Sequence, residues 1–513
     1  MFINQKNKKY NFTLYVFKGK EEKLITMKIK EMLTMGHLEY SDTLDQSLEV
    51  KGITDNSNEI KPGYVFIAIK GYKKDGHIYI QQAIINGAIL IIGENELMNL
   101  EVPYLKVKSA RKALGQVAKL FYKDPSKDKI MIGITGTNGK TTISFFIKHL
   151  LEKQGYSVSS IGTIHNEING KKIKTINTTP NAKTINQLLV ASTDQVVVME
   201  VSSQGLEQDR LEGIQFDYAL FNNLQHDHLD YHNTMEEYFE CKALLFQKLK
   251  PNGTAIINSD DSWGLKLIEH LTAEGKKILT VGEQSFSNVQ ILSKELNDVS
   301  VMHKNMEYSL RTPLPGMHNL YNLSMSSCAV HELGVPYEKV KPYMSDFTGI
   351  SGRFELFHLE NNVTVVVDYA HTPDALEIAI NTAINNGANH IITVFGFAGN
   401  RDTSKRKAML EIVTRLSDSS ILTVTELFGS TIDKLYTDYV MIQKECQVED
   451  STSIIMDRTL AIQKAIKDAQ PGDWVLLLGK GHELYKENYN LNTKSDQETV
   501  LYLQKNKLST SGH

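Results

Sequence analysis

The chain has 513 residues, 41% hydrophobic and 23% charged, with a net charge of −4. That length exceeds a single core and suits about three domains, and the ordinary charge balance gives no reason to expect nucleic acid or an anionic membrane as partner. No apolar run approaches a membrane span, no signal-peptide pattern is read, and Cys241, Cys328 and Cys446 lack metal or disulfide spacing, so a cytoplasmic enzyme with reduced thiols is expected.

Residues 1–26 are rich in Lys, Asn and aromatics and read as an N-terminal extension. A second methionine, Met27, then precedes a helix-like Lys-Ile-Lys-Glu-Met-Leu run. Residues 27–128 read as a small mixed α/β domain. In it, the loop Asn56-Ser57-Asn58 enters a strand at Tyr64–Ile69, a helix ends at Gly87, and Ala88–Ile92 forms a further strand.

Residues 129–346 alternate strands with helices. Ile130–Ile134 is a short apolar run of buried-strand type, and Ile143, Phe146, Ile147, Leu150 and Leu151 share one helix face that Gly155 stops. Between them stand Gly133, Gly136 and Gly139, then Lys140-Thr141. Glycines let backbone N–H groups approach an anion, and the helix start adds partial positive charge. Lys140 is expected to reach the terminal phosphates and Thr141 to ligate magnesium. The spacing departs from G-x-x-x-x-G-K-T, because Ile134 occupies the first glycine's place. The chain is expected to bind a nucleoside triphosphate.

Further on, Thr178-Thr179-Pro180-Asn181 reads as a turn opening a helix, with Thr179 as its cap. Gln195–Glu200 reads as a buried strand ending in an acid, a position suited to a metal in an open sheet. The strand Phe216–Asn222 leads to His226-Asp227-His228-Leu229-Asp230-Tyr231-His232, and Lys242 follows on a helix. Read from spacing alone, Ser57 is a turn serine and Lys242 a surface lysine.

Residues 347–513 form the last α/β segment. Its strands deliver Asp368-Tyr369-Ala370-His371, Gly399-Asn400-Arg401-Asp402 and Gly479-Lys480-Gly481-His482-Glu483 just past their carboxyl ends, where open sheets place ligands.

Thr135–Thr142, Met199–Ser203, Asp227–His232, Gly352-Arg353, Asp368–Asp374, Gly399–Asp402 and Gly479–Glu483, in this order, resemble the Mur ligases. The likeness is greatest to the type that adds the third residue of the peptidoglycan stem peptide. It implies an N-terminal UDP-substrate-binding domain, a central P-loop parallel-sheet ATPase domain and a C-terminal Rossmann-like, amino-acid-binding ligase domain. It implies an ADP-forming acid–amino-acid ligase: a carboxylate of a UDP-linked muramoyl peptide attacks ATP, and an amino group then attacks the acyl phosphate. ATP and Mg2+ are the implied cofactors.

By the same resemblance Gly136, Thr137, Asn138, Gly139, Lys140, Thr141, Thr142, Asn319, Asn322, Arg353, Asp368 and His371 bind ATP. Thr141, Glu200, His228 and Lys242 hold metal, Lys242 as a carbamylated lysine, and Lys140, Glu200, His228 and Lys242 are catalytic. Ser57, Thr178, Thr179, Ser202, Gln208 and Arg210 bind the UDP substrate, and Gly479 and Glu483 the amino acid. A nucleotide site shared by two domains implies closure that excludes water.

Three departures are visible. Asn56-Ser57-Asn58 stands where the family has Asp-Ser-Arg, and Gln204 where a histidine is common. The Asp-Asn-Pro-Arg loop that grips diaminopimelate is replaced by Glu426-Leu427-Phe428-Gly429-Ser430, which argues against that amino acid, and the family's usual lysine-type loop is not present either. Alternative readings are a paralogue joining an amine to another carboxylate in specialised metabolism, and a non-catalytic nucleotide-binding regulatory or scaffold protein.

Overall fold

The computed structural model describes residues 25–35, 47–72, 74–227, 229 and 231–510. His228 and residues 1–24 of the extension lie outside the described residues. The chain divides into two compact units. The first is Met1–Gly133, Tyr156–Asp217 and Leu244–Asn252, and the second is Ile134–Gly155, Tyr218–Ala243 and Gly253–His513. Both draw on the segment 129–346.

In the first unit, Gly52–Thr54, Tyr64–Ala68, Ala88–Gly93 and Tyr104–Lys106 form a parallel sheet in chain order. Side chains alternate between its faces. Val65, Ile67, Leu90 and Ile92 meet the helix Ala110–Phe121 through Leu114, Val117 and Phe121, while Phe66 and Ile91 meet Ile80 and Ala83 on the other face. Ser109 caps that helix by accepting from Lys112 N. Elsewhere in this unit Val158–Ile161 and Val196–Glu200 run parallel, and Asn166–Ile168 with Lys171–Ile173 forms a hairpin.

The turn expected to be capped by Thr179 is built differently. The helix is Ala182–Ala191, and its cap is Asn181, whose side chain accepts from Thr184 N. Thr179 is fully buried and turned toward Glu200 and Ser202. A buried hydroxyl must find a partner, and here the strand end supplies one before the helix does.

In the second unit, the helix Lys140–Gln154 follows the glycine-rich loop, with Gly139 at its start and Gly155, φ +103°, at its end. Thr254–Asn258 pairs in parallel with Lys277–Gly282, which pairs with Val289–Glu295. Asp298–His303 and Met306–Arg311 extend the row as an antiparallel meander. Residues 355–478 make a six-stranded sheet in the order Glu355–His358, Thr364–Asp368, Trp474–Leu478, Ile391–Phe395, Ser419–Leu422, Thr452–Ile454. The first pair is antiparallel and the rest are parallel. Val366, Leu476 and Leu422 face one helical layer, and Val365, Val367, Leu477 and Ile421 face the other. Burial on both faces is why these strands read as continuous apolar runs.

Trp474–Leu478, late in the chain, lies between Thr364–Asp368 and Ile391–Phe395. Four carboxyl-terminal strand ends are thereby set side by side, and the loops after them form a common rim.

Candidate functional site

In the second unit, the loop after Thr135 turns through Gly136 and Gly139, the latter at φ +87°. A Cβ on Gly139 would stand 2.3 Å from Asn222 Nδ2 and 2.5 Å from Asn322 Oδ1. Only glycine permits that approach. The loop is held by amides: Asn138 N donates to Asn223 Oδ1 (2.9 Å), and Asn222 Nδ2 donates to Asn138 O (3.0 Å) and Asn322 Oδ1 (3.1 Å). Asn322 Nδ2 donates in turn to Asn319 Oδ1 at 3.1 Å. Asn222 Oδ1 is buried with no partner among the described residues.

Lys140 Nζ folds back to Gly136 O (2.7 Å) and Thr137 O (2.9 Å). Lys242, on the helix Met235–Gln247, reaches the same Gly136 oxygen at 3.0 Å from a side chain that is 1% exposed. Its ammonium lies 4.5 Å from the centre of the Tyr238 ring. Burial first, and the neighbouring Lys140 charge second, hold the Lys242 amine well below the ordinary lysine range.

Arg353 donates to the Thr141 hydroxyl at 3.2 Å and stacks over Tyr369 at 4.7 Å. Asp368 accepts from Phe354 N (2.6 Å) and Ala370 N (2.7 Å), and burial raises its carboxyl against the pull of Arg353. His371 Nε2 lies 3.7 Å from Asp227 Oδ2, and Lys405 donates to Asp227 Oδ1 at 3.0 Å.

These groups suit a nucleoside triphosphate. The helix start carries no capping side chain, the glycine cradle would be filled by any Cβ, and two lysines and an arginine face it. The Thr141 hydroxyl is a hard oxygen donor of the kind magnesium prefers. Among the described residues, no three His, Cys, Asp or Glu side chains gather into a metal cluster.

In the first unit, Glu200 is buried at its strand's end. It accepts from Thr163 N at 3.0 Å and from the Thr163 hydroxyl at 2.7 Å. A Cβ at Gly162 would come within 2.2 Å of its carboxylate. Thr163 and Thr178 share a 3.1 Å hydroxyl contact. Thr179 bonds the Ser202 hydroxyl (3.1 Å), while Arg210 donates to Thr179 O and Gln208 Oε1, each at 2.7 Å. Thr178, Thr179, Ser202, Gln208 and Arg210 therefore belong to one connected hydrogen-bond network, with Thr179 in its buried part. Ser57 opens a short 3-10 turn, Ser57–Glu59, beside Asp55, which accepts from Asn181 at 3.0 Å. Lys183 completes the turn by pairing with Glu59 at 2.5 Å.

The rim of the six-stranded sheet encloses a cavity of about 160 Å³, lined by Tyr369, Arg401, Asp402, Glu426, Phe428, Gly479, Lys480 and Glu483 among others. Tyr369 OH donates to Glu483 Oε1 and Lys480 Nζ to Glu483 Oε2, both at 3.3 Å. Phe428, at φ +47°, lies under the Arg401 guanidinium at 4.6 Å, and Glu426 pairs with Lys486.

Asn222, Asp227, Thr163, Lys405 and Glu426 join these surfaces without having been singled out as site residues from the sequence. A polar residue directly after a buried strand was the available signal for Asn222. Asp227 stood in the acid- and histidine-rich run 226–232, but nothing signalled its pairing with Lys405, 178 residues away.

Three models of the Mur ligases match the chain. The "Mur ligase family, catalytic domain" matches residues 49–122, the "Mur ligase middle domain" 134–330, and the "Mur ligase, glutamate ligase domain" 352–481. The UDP-N-acetylmuramoyl-L-alanyl-D-glutamate–2,6-diaminopimelate ligase of Clostridium botulinum is 37% identical over 469 residues, covering 88% of this chain and 95% of the relative. The enzyme of the same name from Lactiplantibacillus plantarum is 36% identical, covering 86% and 91%. A solved structure bearing that enzyme name superimposes with a TM-score of 0.67 at 28% identity, covering 95% of this chain and 100% of that one. The MurF ligase of Thermotoga maritima in complex with ADP shares the fold, with a TM-score of 0.62 at 19% identity over 90% of this chain and 98% of that one.

Proposed function

The chain belongs to the Mur ligase family, and from that premise we propose that it is an ATP-dependent, ADP-forming ligase adding an amino acid to a UDP-N-acetylmuramoyl peptide in peptidoglycan precursor synthesis. The observation that carries the reading is the meeting of Lys140 and Lys242 on one carbonyl oxygen, that of Gly136, at the mouth of a glycine cradle. The first step brings an anionic carboxylate to an anionic γ-phosphate, so catalysis is chiefly the cancelling of repulsion and the holding of a line. Lys140 leaves its loop carbonyls for the phosphates, the loop N–H groups cradle them, and Arg353 supports the Thr141 hydroxyl. Magnesium, when held by the residues named below, would supply charge that neutralises the phosphates.

Lys242 enters this scheme as a carbamate. Burial first, and the Lys140 charge second, favour the uncharged amine, the form whose nitrogen can bond to the carbon of CO2 with release of one proton. The resulting carbamate is an anion able to hold a metal, and it sets an opposite charge beside Lys140. Thr141, Glu200, His228 and carbamylated Lys242 would keep the metal-ligand roles that the family resemblance assigns them. Thr178, Thr179, Ser202, Gln208, Arg210 and Ser57 bind the UDP substrate, and Gly479 and Glu483 the amino acid. Among the described residues no helix is long and apolar enough to cross a membrane, and a cytoplasmic setting fits the nucleotide substrates.

The test is the purified chain with ATP, Mg2+, UDP-N-acetylmuramoyl-L-alanyl-D-glutamate and a panel of amino acids. The expected result is ADP release matched by a tripeptide product in mass spectrometry, abolished by Lys140→Ala while circular dichroism is unchanged. Unaltered turnover in that variant would end the assignment of the loop.

A further inference from the structure

The rim cavity says more about its occupant than the family chemistry requires. Its basic lining residues are committed to partners. Lys405 donates to Asp227 at 3.0 Å, Arg406 to Asp438 at 2.8 Å, and Lys480 to Glu483 at 3.3 Å. Arg401 lies on the Phe428 ring. The acids are disposed otherwise. Asp402 Oδ1 accepts from the Ser404 N–H and hydroxyl, but its Oδ2 is buried with no partner among the described residues. Glu426 is 8% exposed, and its carboxylate is met by the ammonium of Lys486, whose side chain is 64% exposed.

That difference in burial carries the argument. A buried carboxylate needs a cation, and removing one without replacement is costly. A lysine reaching in from the surface withdraws easily, because its ammonium regains water and its stem regains rotamers. Lys486 also lies 5.5 Å over the Phe428 face, so one ammonium at the end of an aliphatic chain already sits on both features of the cavity wall.

We propose that the incoming amino acid is a diamino monocarboxylic acid, and that its side-chain ammonium takes Glu426 by displacing Lys486. This rests on the ligase reading and adds the class of amino acid to it. Arg401, on the Phe428 ring, would turn to the α-carboxylate, Asp402 and Glu483 to the α-amino group, and Phe428 would flank the aliphatic stem. A substrate with a second, distal carboxylate would set that charge against Glu426, where like charges repel.

The experiment compares L-lysine, L-ornithine, meso-diaminopimelate and L-norleucine with the full chain, ATP, Mg2+ and the UDP-muramoyl dipeptide, each product identified by mass. L-lysine or L-ornithine is expected to exceed meso-diaminopimelate and norleucine in kcat/KM by about 100-fold. Glu426→Gln should raise KM for the diamino acid about 10-fold with kcat nearly kept. Lys486→Met should lower that KM, which a merely structural lysine would not do. Preference for meso-diaminopimelate or norleucine overturns the proposal while leaving the ligase reading intact. An unchanged KM in Glu426→Gln, or a raised one in Lys486→Met, also overturns it. No product with any amino acid ends both readings.

Discussion

Lys242 donates to the carbonyl oxygen of Gly136 at 3.0 Å, although the two are 106 residues apart and the lysine is almost wholly buried. A second ammonium, that of Lys140, takes the same oxygen. Burial, and after it the neighbouring Lys140 charge, lower the Lys242 pKa and make a second ammonium on that acceptor unfavourable.

Lys242→Ala is therefore expected to lose about 10²–10³-fold in ADP formation, with partial recovery when a short carboxylic acid is added to fill the vacated space. Steady-state ADP release with and without acetate or propionate reads this out. Full activity in the unsupplemented variant would remove Lys242 from the machinery.

Gly139→Ala places a methyl group against Asn222 and Asn322 at a positive φ. A strained residue of this kind costs about 1–3 kcal/mol. The expected outcome is a Tm lowered by a few degrees and an ATP affinity reduced at least about 10-fold, measured by calorimetry. ATP affinity equal to that of the unmodified chain would contradict the cradle.

Arg458 and Asp496 are both fully buried and joined by two hydrogen bonds of 2.7 Å, and Arg458 also donates to Leu478 O, just before Gly479. Arg458→Met leaves Asp496 an unpaired buried charge and should destabilise the chain by about 3–5 kcal/mol. Adding Asp496→Leu should recover most of the loss in urea unfolding. A double variant no better than the single would show that the Leu478 carbonyl contact matters more than the charge.

Glu59 is lowered below the ordinary carboxyl value: burial opposes the shift, but the charge and hydrogen bond of Lys183 outweigh it. A carboxylate whose folded pKa is depressed contributes stability above its unfolded pKa, and loses it as pH falls through the folded one. Unfolding followed from pH 7 downward should show this loss beginning below about pH 4.5. Glu59→Gln should be less sensitive over that range. The side chain is 40% exposed, so screening keeps the effect below about 1 kcal/mol.

The glycine-rich loop between strand and helix was legible because its parts are contiguous. An apolar run, glycines, Lys140-Thr141 and a helix face follow one another within about thirty residues, and each obeys a local rule. The strands of the six-stranded sheet were legible for a related reason, since burial on both faces leaves an unbroken apolar run such as Val363–Val367, observed as Thr364–Asp368. Local rules failed where a side chain had a distant claimant. Thr179 looked like a cap, but the buried end of the Val196–Glu200 strand took its hydroxyl and Asn181 capped instead.

By itself the sequence determined the elements, the glycine-rich loop and the family, because those depend on periodicity and on residues adjacent in the chain. Only the tertiary structure decided that Lys242 is a buried amine rather than a surface lysine, that Arg353 meets Thr141 from 212 residues away, and that Glu426 faces a cavity and is met by Lys486. Burial and charge pairing are properties of what folds against a residue, and neighbours brought from the far end of the chain leave no trace in local spacing.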